Sequence, residues 1–148
     1  MNLDFTVDAR DLQKLGGKLD KAAKQLATEL AQAQVVNIRL RVDEGFGLDD
    51  KKMPGYAEST KKDRQRRGRQ TATRKLQDTG SMLRSMQAES AIEVDGGYQA
   101  TINFATRKDA EVAAYQQQRT PWFGFSANDE AQLSAIAEQR LKEIADEL

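Results

Sequence analysis

The chain has 148 residues, 39% of them hydrophobic and 31% charged, which suits one domain with its own core and is too apolar for a disordered chain. Lys+Arg and Asp+Glu balance at 23 each, so no chain-wide charge directs the protein to nucleic acid or to a membrane surface. There is no cysteine and no histidine, which excludes disulfides, thiolate metal sites, and Ser-His-Asp or Cys-His catalysis.

The first residues carry no basic region followed by an apolar stretch, so no signal peptide is expected, and no apolar run reaches the roughly 20 residues that span a bilayer. Synthesis in a cytoplasm and no membrane partner are therefore expected. Leu3, Phe5 and Val7 alternate with polar residues and predict a short strand, with Asp8 placed to cap the helix that follows. Leu12, Leu15, Leu19, Ala22, Ala23, Leu26, Leu30 and Ala33 recur every three or four residues and predict a long helix from about residue 9 to the low forties. Gly16-Gly17 interrupts that stripe. The stretch Val36–Val42 also alternates, so pattern alone leaves helix and strand both open there.

Residues 43–55 hold three Gly, one Pro and four acids and read as a loop. A helix over Ala57–Arg67, broken by Gly68, fits the polar segment that follows, and residues 43–75 together read as a long, partly flexible basic loop or insertion. Asp78-Thr79-Gly80 resembles a helix start, with Asp78 or Thr79 accepting backbone N–H bonds and Leu76 and Met82 facing the core. Ala88–Val94 and Tyr98–Ala105 alternate on either side of Asp95-Gly96-Gly97, which predicts a β-hairpin over about 88–105. A helix is expected over Asp109–Gln118, with Val112 and Tyr115 on one side. Ser126 and Asp129 have capping-box spacing ahead of a last helix over about 127–147. Its inward residues would be Leu133, Ile136, Ala137, Leu141, Ile144 and Leu148. The fold class is α+β: a long N-terminal helix and a C-terminal helix packed on a small antiparallel sheet, in one domain over 1–148.

Two constellations stand out. Lys61, Lys62, Arg64, Arg66, Arg67, Arg69, Arg74 and Lys75 put eight cations in fifteen positions. This is a solvated surface, a contact for an acidic protein partner, or a contact for nucleic-acid phosphates. No aromatic lies between Tyr56 and Tyr98 in the sequence, so base stacking finds no support there. Trp122, Phe123 and Phe125 are three of nine aromatics, clustered around Gly124. They read either as a core plug or as an interface, with Trp122 and Phe123 on opposite sides of an extended segment. The carboxylates form no metal-ligand spacing, the Gly-Gly pairs lack a phosphate-loop context, and no cofactor or metal site is expected.

Leu76, Asp78, Thr79, Gly80 and Ser85, followed by the hairpin and then Pro121-Trp122-Phe123-Gly124-Phe125-Ser126, resemble the virion-morphogenesis (tail-completion) family of Mu-like tailed phages. Ser59-Thr60 ahead of the basic stretch and the two terminal helices fit the same order. Phe125 stands where that family has Leu, and Ala114–Gln118 stands without the family's His. The resemblance implies a structural virion protein rather than an enzyme: a ring-forming tail-completion or terminator subunit at the head–tail junction, commonly six-fold. Its implied partners are copies of itself, connector or stopper proteins, tail tube or sheath proteins, and packaged DNA. The alternative is a small nucleic-acid-binding protein using residues 61–75.

Overall fold

The computed structural model describes residues 2–8, 17–72, 76 and 80–147. Strand β1 (Leu3–Asp8) leads to helix α1 (Gly17–Asp43), α2 (Glu58–Arg66) and the short α3 (Ser81–Ser85). Strands β2 (Met86–Ala88), β3 (Ile92–Val94) and β4 (Gly97–Phe104) follow, then α4 (Arg107–Arg119) and α5 (Ala127–Asp146). The fold is α+β with an antiparallel four-stranded sheet. Strand β4 is central, with β1 on one side and β2 and β3 in succession on the other. Among the described residues, no helix is long and apolar enough to cross a membrane.

Alternation on β4 decides where the core lies. Tyr98, Ala100, Ile102 and Phe104 are buried against α1, while Gln99, Thr101 and Asn103 turn to the polar side, where Thr101 bonds Asp4 and Asn103 bonds Gln87 and Glu89. Helix α1 contributes Ala23, Ala27, Ala31, Val35, Ile38 and Val42 to one cluster with these residues. The small alanines let the helix approach the sheet closely.

The helix expected to run into the low forties does so, which decides the alternative left open at Val36–Val42: Ile38 and Val42 are fully buried while Val36 and Leu40 are 52% and 58% exposed. A strand would have put all four on one face. The predicted hairpin is real but its first arm is broken. The pairing Met86↔Phe104 gives way to Ile92↔Gln99, a register shift of one residue that marks a bulge. Its cause is visible at Ala91, whose N–H leaves the ladder and donates to Thr28 Oγ1 on α1 at 3.0 Å. Within residues 43–75 the helix expected over Ala57–Arg67 is present as α2, and the 43–55 loop closes on itself through a Phe46–Lys52 bridge and on the late motif through Leu48 N–H to Pro121 O (3.0 Å). Asp8 ends β1 opposite Gly97. The expected start of the first helix, with Gly16, Leu12 and Leu15, lies outside the described residues, as do Asp78, Thr79, Arg74, Lys75 and Leu148.

Candidate functional site

The late motif is a buried joint. Trp122 is wholly buried and Phe123 is 6% exposed; their rings meet edge to face at 5.5 Å, and both pack on Phe104 of β4. The expectation that one of this pair faces a neighbouring subunit is therefore corrected: both serve the core. Phe125 is half-buried and packs against the same cluster. The segment cannot be helix or strand here, so its polar backbone must find side-chain partners. Gln117 of α4 supplies them, its Oε1 accepting from Trp122 N–H and Phe123 N–H at 2.9 Å each and its Nε2 donating to Phe123 O at 3.2 Å. Gly124 takes φ 148 against the Leu48 side chain, a backbone state that favours glycine.

A buried polar network locks this joint to α1 and α5. Arg41 donates to Trp122 O at 2.9 Å and to Asp129 Oδ2 at 3.0 Å. Gln34 Nε2 donates to Gly124 O at 2.7 Å and to Asp129 Oδ2 at 2.9 Å, and Asn37 donates to Gln34 Oε1. Ser126 and Asp129 form the predicted capping box, each side chain accepting from the other's backbone N–H. Burial works to raise the Asp129 pKa, but the bonds from Gln34 and Ser126 and the Arg41 charge outweigh it and hold the carboxyl below its ordinary value.

The central motif is a second joint. Gly80, at φ 81, is the residue from which α3 starts, a conformation that suits glycine. Ser81 Oγ donates to Asp109 Oδ1 and Thr106 Oγ1 to Asp109 Oδ2, while Ser85 Oγ accepts from Ala105 N–H. The hydrogen bond from Thr106, then those from Ser81 and Ser85 with the Lys108 charge, lower the Asp109 pKa against its burial. Arg39 of α1 covers the carbonyls of Leu83, Arg84 and Met86 at 3.0, 3.3 and 2.7 Å, so the short helix is held from below. Leu76, Met82 and Leu83 are buried.

The basic run is divided by the fold. Arg64 is 6% exposed, its guanidinium over the Tyr56 ring at 4.6 Å and its Nε on Gln70 O at 2.8 Å. This corrects its place among candidate surface contacts. Lys62, Arg66, Arg67 and Arg69 are exposed and Lys61 is half-buried. Asp63 takes Arg66 and Arg67, and Glu58 takes Lys61. The Arg66 hydrogen bond, then the Arg67 charge, lower the Asp63 pKa.

Between α2, α3 and α4 lies an open cleft of about 650 Å³, with Arg64, Arg67, Lys108 and Arg119 on its walls beside Tyr56 and Val112. Lys108 and Arg119 thus extend the charge of the basic run, a juxtaposition forty residues of sequence conceal. Among the described residues, no group of three acids is placed to hold a metal ion. No family model matches this sequence, and no curated protein and no solved structure matches it either.

Proposed function

We propose that the chain is a structural subunit of a tailed-phage neck, a tail-completion or terminator protein that joins the DNA-filled head to the tail as a closed ring, commonly of six copies. What carries this reading is the order of the two motifs: Leu76, Gly80 and Ser85, then the hairpin, then Pro121, Trp122, Gly124 and Ser126. The places of these residues support a rigid assembly part. Gly80 starts α3, Ser85 ends it where β2 begins, and Trp122, Gly124 and Ser126 lie in the connection between α4 and α5; their side chains or backbone states fix joints rather than surround a substrate. In such a ring the outer surfaces of each copy would meet its neighbours, the connector or stopper above and the tail tube or sheath below. The protein would then act in the virion, without cofactor or turnover.

The exposed Lys62, Arg66, Arg67 and Arg69 favour a second reading, a small protein that binds nucleic-acid phosphates. In a neck the two readings are compatible, since DNA passes through the ring. The placement is tested by labelling purified virions with an antibody to this chain. Label confined to the head–tail junction supports the neck reading. Label on capsid or tail tip, or on no virion at all, rejects it.

A further inference from the structure

Helix α4 presents Lys108, Val112, Tyr115 and Arg119 at spacings of four, three and four residues, within an arc of roughly 60° whose Lys108, Val112 and Arg119 border the open cleft toward α2 and α3. All four are exposed, Val112 by 39% and Tyr115 by 56%. Arg119 lies over the Tyr115 ring at 5.7 Å, so the stripe is an apolar centre with a cation at each end, about 16 Å apart along the axis. Glu111, beside the stripe, is held by Arg107.

Helix α5 presents the opposite. Its inner side carries Leu133 into the core and Arg140 onto Glu29 of α1. Its outer side carries Glu130, Ser134, Glu138, Leu141 and Ala145 within an arc of roughly 80°, which corrects the expectation that Leu141 points inward. All are exposed, Leu141 by 46%, and the two acids stand about 12 Å apart. The reach of Lys and Arg side chains covers the difference in spacing. Lys142 lies one turn beyond Glu138, at the margin of this stripe.

We propose that the α4 stripe of one copy docks on the α5 stripe of a second copy, Val112 and Tyr115 against Leu141, and Lys108 and Arg119 against Glu138 and Glu130. The occupant is a second copy because one neutral chain carries both halves, matched in sign and in apolar content. The contact joins unlike surfaces, so every copy keeps one stripe of each kind free until a ring closes. The pairing rests on the ring reading above and deepens it by naming the faces that meet.

The chain has no cysteine, so disulfide trapping is unambiguous. Full-length V112C and L141C proteins are mixed and oxidised, and each is also oxidised alone. Val112 and Leu141 are already exposed, so neither change disturbs the core. A disulfide that forms in the mixture and far less in either protein alone supports the pairing. Predominant V112C–V112C linkage, or no linkage, overturns it. Sedimentation of K108E/R119E at low ionic strength should show self-association about tenfold weaker or less, with recovery on mixing with E130K/E138K. Unchanged association overturns the pairing and leaves a ring built through other faces. If the double reversal instead abolishes binding to duplex DNA and leaves sedimentation unchanged, the stripe is a phosphate contact and the pairing fails.

Discussion

Replacing Asp129 by alanine tests the buried network directly. Asp129 Oδ2 accepts from Gln34, Arg41 and Ser126, and both Arg41 and Asp129 are nearly inaccessible, at 6% and 5% exposed. Removing the carboxylate leaves the Arg41 guanidinium buried without its counter-charge, a loss of about 3–5 kcal/mol for a pair of this kind. A domain of this size has about 5–15 kcal/mol of total stability, so D129A should be severely destabilised or unfolded at room temperature. Arg41→Met in the D129A background replaces the stranded charge by an apolar chain of similar length and should recover about 2 kcal/mol or more. Urea unfolding followed by Trp122 fluorescence reads both, because the single tryptophan lies at this joint and is wholly buried. A loss below about 1 kcal/mol in D129A, or no recovery in the double variant, would refute the argument that charge burial governs the joint.

The same carboxyl fixes a pH dependence. Its folded pKa lies below the ordinary 3.8, so its stabilisation is complete above that value and is lost as pH falls through the lower folded pKa. Acid unfolding of the wild type should therefore be shallower above pH 3.8 than below it, and D129N should lack this component. Tyr98 behaves in the opposite sense: the hydrogen bond to Asp20, then burial and the Asp20 and Glu93 charges, push it from 10.0 up to about 12. It stabilises the fold below pH 10 and ceases to do so as pH rises toward 12, so ultraviolet titration should show one late phenolate that Y98F removes. At Gly80 any Cβ meets φ 81 and an Arg84 Nη1 atom 2.6 Å away. The guanidinium can swing aside but the backbone cannot, so Gly80→Val should cost about 1–2 kcal/mol or more, seen as a lower Tm. Gln117→Ala leaves the Trp122 and Phe123 N–H groups without their acceptor and should cost about 1–3 kcal/mol in the same unfolding assay.

What the sequence disclosed was local. The Ser126–Asp129 cap, the β1 strand and the turn at Gly96 depend on neighbours within a few positions, and the structure has each of them. The end of α1 was ambiguous because Val36, Ile38, Leu40 and Val42 satisfy a period of two and, in part, a helical one. Only packing against the sheet separates Ile38 and Val42 from the exposed pair. The bulge at Ala91 depends on Thr28, sixty-three residues earlier, and no period in either segment announces it. Gln34, Arg39, Arg41 and Gln117 carry no local signal for the same reason. They read as polar positions on helices, yet their partners are backbone and carboxylate groups that lie far along the chain, or that become needy only when the aromatic segment is buried. Charge in sequence likewise does not distinguish Arg64, folded onto Tyr56, from its exposed neighbours in the basic run.

The proposed role as a neck subunit meets its most direct test in electron microscopy of a phage lysate lacking this gene. The account predicts DNA-filled heads lying beside separate tails, with overlong tails if the subunit also terminates tail growth. Normal, infectious virions in that lysate would contradict it.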